Sequence, residues 1–117
     1  MPGIHFDVVM TEPDIADLAE RVVHAGADEL IAHAFAPLED LDIPAAEARA
    51  LAELHALVHL QRAAGRLSER AARSAANAGA GYPDLAAALA MTRQGARRRY
   101  PHLVERHTPA RPGKEES

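Results

Sequence analysis

The chain has 117 residues, no cysteine and a net charge of −4. That length fits one modest domain, and the missing thiols exclude a disulfide framework and any thiolate metal centre. No apolar run is long enough to span a bilayer and no secretory leader is evident, so a cytoplasmic location and no membrane partner are expected.

The charge is unevenly placed. Residues 1 to 60 carry twelve acids against Arg21 and Arg49, a net of −10, whereas residues 61 to 117 carry eleven bases against five acids, a net of +6. A basic half attracts phosphate while an acidic half is repelled by it, which orients a molecule on a polyanion. The acidic half equally suits a protein partner or solvated helix faces.

At the N-terminus Ile4, Phe6 and Val8 alternate with His5 and Asp7. One strand cannot stand alone, so this arm is expected to lie extended over the core or to pair with its counterpart in a dimer. Thr11-Glu-Pro-Asp14 reads as a helix start. Ile15, Leu18, Ala19, Val22 and Val23 follow at helical spacing, and Gly26 is expected to end that helix. Asp28 then caps a second short helix carrying Leu30, Ile31, Ala34 and Phe35, which Pro37 ends, leaving Leu38 to Asp42 as an acidic loop.

Pro44 to about Gly65 reads as the longest helix, with Pro44 in its first turn. Leu51, Leu54 and Val58 make one face, and Leu57 and Leu60 another. That sector is too wide for a helix half in water, so one side should pack on the N-terminal helices and the other on a support helix or a second subunit. His55 and His59, at i and i+4, share a face and offer two nitrogens to Zn²⁺. Two ligands do not fill a site, no Glu lies between them as a zincin requires, and His24 or His33 would have to complete the set. No metal or cofactor is therefore expected. With no Gly-rich phosphate loop, nucleophile elbow or carboxylate pair, the chain does not read as an enzyme.

The Ala-rich stretch from Ser68 to Gly79 is expected to form a support helix. From Tyr82 to Tyr100 two short helices joined by a tight turn are expected, the layout of a helix-turn-helix DNA reader. Leu85, Ala86 and Leu89 form a narrow apolar stripe on the first, with a small residue at the crossing. Thr92 caps the second, which carries Arg93, Gln94, Arg97, Arg98 and Arg99. At 100° per residue Ala96 and Tyr100 face inward, Gln94 and Arg98 point straight out, Arg97 lies on the flank, and Gly95 leaves a bare patch of backbone. Gln94 and Arg98 are thus placed for base edges, and Arg93 and Arg99 for phosphates. The bland alternative is a surface helix with solvated arginines.

The run Leu89-Ala-Met-Thr-Arg-Gln-Gly-Ala-Arg-Arg-Arg-Tyr100 resembles the L-G-M-[ST]-R-Q-A-A-x-x-R-[WF] signature of small bacterial helix-turn-helix DNA-binding proteins, especially those of high-GC genomes. The resemblance covers positions 82 to 100 and extends loosely back through Ser68 to Gly79. It implies DNA contact by Thr92, Arg93, Gln94, Arg97 and Arg98, and an inner face of Leu85, Leu89, Met91, Ala96 and Tyr100. Two departures stand out. Ala90 replaces the favoured Gly, so the turn either accepts a non-glycine residue or forms differently, and Gly95 replaces a helix-favouring Ala.

After Tyr100, Pro101 should end the helix and Leu103 and Val104 tuck back. Positions 108 to 117 are too polar and proline-rich to order themselves and read as a disordered tail. The whole reads as an all-α domain over 1–107 with about five helices: an acidic dimerisation region over 1–65 and a helix-turn-helix over 66–107. The expected function is sequence-specific binding of double-stranded DNA by a homodimeric transcriptional regulator. The alternative is a helical interaction module whose arginines grip an acidic protein, and the third reading is a metal-binding protein or enzyme using His55 and His59.

Overall fold

The computed structural model describes residues 6–104, and all regular structure within them is helical: α1 (Glu12–Ala34), a 3-10 turn at Leu38–Asp40, α2 (Ala45–Asn77), α3 (Tyr82–Leu89) and α4 (Arg93–Arg99). No helix among these residues is long and apolar enough to cross a membrane. Of the expected alternating arm, the described Phe6, Asp7 and Val8 form no strand, and Phe6 and Val8 are exposed. Ile4, His5 and the expected tail at 108–117 lie outside the described residues.

About five helices were expected and four α-helices stand among the described residues, with two of the expected breaks absent. The Thr11 hydroxyl accepts from the Asp14 amide at 3.2 Å and starts α1 as the sequence indicates. Gly26, however, does not end it. A side chain there would meet only Leu60, and the neighbouring Ala27 is buried against α2, so packing carries the helix through the weak position. Asp28, expected as a cap, is instead mid-helix and paired with Arg49. Gly65 likewise sits inside α2, which runs unbroken into the expected support helix.

The chain divides into two compact units, Val8–Arg66 and a second built on the chain from Leu67 onward, with α2 contributing to both. In the first, the core is Ala27, Ile31, Ala52 and Ala56, flanked by Leu30, Phe35, Leu38, Leu57 and Leu60. The alanines let the two helix backbones approach closely. His24 meets Glu53 at 3.0 Å and Asp28 meets Arg49, so α1 and this part of α2 run in opposite directions. These pairs are about half exposed and orient more than they stabilise.

The second unit has a denser core of Ala72, Ala76, Tyr82, Leu85, Ala86, Ala96 and Leu103, with Leu89, Tyr100 and Val104 packed against it. Two tight helix ends fold the chain around it. At the end of α2, Ala80 N–H donates to Ala75 O at 2.9 Å and Gly79 N–H to Ala76 O at 3.0 Å, with Gly79 at φ 112°. At the end of α3 the same pattern recurs, Met91 N–H donating to Ala86 O at 3.0 Å and Ala90 N–H to Ala87 O at 3.3 Å. Both are Schellman closures, which need a left-handed residue at the same place. The first has glycine there. The second has Ala90 at φ 54°, ψ 46°, so the turn accepts a non-glycine residue at a steric cost to its β-carbon.

Ala90→Gly should therefore raise stability by about 1 kcal/mol, and Gly79→Ala should lower it by at least about as much. Chemical denaturation of the two variants reads both effects; equal midpoints for Ala90→Gly and wild type would show that the left-handed turn is not strained.

Candidate nucleic-acid interface

α4 has seven residues, too few to hold a helix by hydrogen bonding alone. Three contacts hold it. The Thr92 hydroxyl accepts from the Gly95 amide at 2.9 Å and caps its start. Ala96, 0% exposed, is buried against α3 and the end of α2. At its far end the backbone is tied to Tyr82, whose hydroxyl donates to the Tyr100 carbonyl at 2.6 Å and lies 3.1 Å from the Pro101 carbonyl. Tyr82 is only 5% exposed and opens α3, so one side chain joins the start of one helix to the end of the next.

The face opposite Ala96 is open. Arg93, Gln94 and Arg98 are exposed and make no hydrogen bond, ion pair or ring contact among the described residues. The flanking arginines behave differently. The Arg97 guanidinium lies over the Tyr82 ring, 4.5 Å from its centre, a cation–π contact that restrains a long side chain without consuming its charge. Arg99 points to Tyr100, its Nε 3.4 Å from the phenol oxygen, and borders a small cleft with Glu69, Arg73 and His102. In that cleft Arg73 donates to Glu69 at 2.8 Å.

The inner face needs two corrections. Leu85 and Ala96 are buried and Leu89 and Tyr100 half-buried, but Met91 is exposed. Gly95 is not an open patch on the outer side. A β-carbon there would stand 3.2 Å from the Thr92 hydroxyl and 3.4 Å from the Met91 sulfur, so its bareness makes room for the cap. The structural importance of Tyr82 escapes a reading of helical faces, because its partners are backbone carbonyls 18 and 19 residues away.

The second candidate cluster is the histidine pair. His55 and His59 bring their Nε2 atoms to 3.3 Å with their rings edge to face, and Phe35 packs against His55. His24 does not join them, being paired with Glu53 and Asp28, and no group of three or more His, Asp or Glu among the described residues is arranged to hold a metal ion.

Comparison of the chain with protein-family models, curated proteins and solved structures finds no match. The reading of the interface therefore rests on its residues and geometry.

The Tyr82 latch is directly testable. Tyr82→Phe keeps the ring beneath Arg97 but removes the hydroxyl from two carbonyls, of which that of Tyr100 keeps the Leu103 N–H at 3.3 Å, and should cost about 1 kcal/mol. Tyr82→Ala also empties the core, should cost about 3–5 kcal/mol, and should reduce helicity. Thermal unfolding followed by circular dichroism separates the two, and a Tyr82→Phe variant as stable as wild type would remove the latch.

Proposed function

We propose that this chain is a sequence-specific duplex DNA-binding protein, a homodimeric transcriptional regulator that reads the major groove with α4 as the second helix of a helix-turn-helix. The observation that carries the reading is the outward pair Gln94 and Arg98, with the exposed Arg93 beside them at the start of the helix. These side chains have no partner among the described residues, yet they ride on a helix fixed by a cap, a buried alanine and the Tyr82 latch. Rigid backing of otherwise idle donors suits a surface built to meet a ligand. Arg98 matches the two acceptors on guanine and Gln94 the donor–acceptor pair on adenine. Arg93 and Arg99 suit phosphates, and Arg97, already restrained by Tyr82, can reach a backbone at reduced entropic cost. Thr92 serves the interface chiefly by fixing where the helix begins.

Support for a dimer comes from the first unit. Its buried core is three alanines and Ile31, while several larger side chains point outward: Val22 is 63% exposed, Leu51 51% and Leu54 61%. Leu51 and Leu54 lie on the side of α2 opposite Ala52 and Ala56. A two-helix unit with so small a core gains by covering that surface with a second copy. Two-fold pairing would favour an inverted-repeat site with half-site centres about one helical turn apart.

Mobility-shift titrations test the DNA reading. Binding should weaken steeply with salt and prefer one sequence; Arg98→Ala should cost about 1–3 kcal/mol at that sequence, while Arg93→Ala should weaken all duplexes alike and reduce the salt slope by about one. Equal affinity for unrelated duplexes, or an Arg98→Ala variant that binds like wild type, would sink it. Sedimentation at micromolar concentration should show a dimer that Leu54→Glu dissociates, whereas a wild-type monomer that stays one-to-one on DNA removes the dimer.

A further inference from the structure

The first unit contains a groove of about 790 Å³ between the end of α1, the loop after it and α2. Its apolar side includes Phe35, Leu38 and Leu60. On α2, His55, His59 and Arg66 fall within one narrow stripe, since spacings of four and eleven residues both return close to the same helical angle. The two imidazoles converge to 3.3 Å and so act as one focus of ring nitrogens. Arg66 has no partner among the described residues. Asp40 is the one acidic residue lining the groove.

That gathering runs against the charge of its surroundings. Residues 8 to 66 carry eleven acids and four arginines, and of the arginines Arg49 is already paired with Asp28. Unpaired basic donors are therefore scarce in this unit, and one of them stands beside a histidine pair on the rim of its apolar groove. An apolar wall facing a few convergent polar groups is the usual make-up of a small-molecule site, and here the polar groups complement an anion.

We propose that this groove is a binding site for a small amphipathic carboxylate, its apolar body seated against Phe35, Leu38 and Leu60 and its anionic group held by His55, His59 and Arg66. The two Nε2 atoms are hydrogen-bonded to each other at 3.3 Å, so a carboxylate oxygen takes the place of that mutual contact to accept imidazole N–H, and Arg66 supplies the fixed positive charge. The inference stands apart from the DNA reading and is tested without DNA.

Titration calorimetry of the full chain uses decanoate as the probe, 1-decanol as its uncharged counterpart and acetate as the anion without a body. Decanoate should bind about tenfold tighter than 1-decanol, and acetate should not saturate over the same range. Arg66→Ala and the double variant His55→Gln, His59→Gln change exposed side chains, so the fold should survive; each should bring decanoate toward the affinity of 1-decanol and leave 1-decanol unchanged. Amide shifts in NMR spectra should concentrate at residues 30–41 and 55–66. Decanoate binding no tighter than 1-decanol, indifference to both variants, or shifts centred on Leu51 and Leu54 would overturn the proposal.

Discussion

The second unit depends on the burial of Tyr82. α3 and α4 have eight and seven residues, lengths at which the cost of nucleating a helix exceeds what its own hydrogen bonds return. They are stable only as parts of one packed body, and Tyr82 touches each of its boundaries. Its ring fills the core with Leu85, Ala86 and Ala96, its hydroxyl closes the carbonyl end of α4, and its outer face carries the Arg97 guanidinium. The same side chain that pins α4 thus also restrains one of its arginines. Ala72 and Ala76, one turn apart on α2, provide a flat backing against which both short helices settle.

The turn between the helices shows how little freedom this arrangement leaves. A Schellman closure places Met91 and Thr92 so that the Thr92 hydroxyl meets the Gly95 amide, and a larger residue at 95 would crowd that hydroxyl. Ala90 accepts a left-handed backbone because the closure and the cap both require it. The local strain is small beside what the core gains.

The first unit is organised the other way round. Its helices meet largely through alanines, so the backbones come close but little apolar area is buried per residue, and Val22, Leu51 and Leu54 are left outside. Such a unit is an unfinished core. The groove beside His55 and the exposed Leu51–Leu54 face are two consequences of that single choice of small residues at the crossing.

Local chemistry alone determined a good deal: the all-helical class, the caps at Thr11 and Thr92, the end of α4 before Pro101, the inward Ala96 and the outward Gln94 and Arg98. Each follows from angular spacing or from a side chain meeting backbone within three residues, and both are written in neighbouring letters. Where tertiary contacts compete with local preference, the reading failed. Gly26 looks like a stop, but the burial of Ala27 beside it carries α1 through; Gly65 looks like a stop inside α2 and is not one. Which of the two leucine faces of α2 meets α1 was not written locally: Leu57 and Leu60 pack there beside Ala52 and Ala56, and Leu51 and Leu54 lie exposed on the other side. Met91, which the resemblance implies is inward, is exposed because the turn takes it off the helical register. The Tyr82 latch and the groove join residues far apart in the chain, and only the folded backbone decides which distant groups meet.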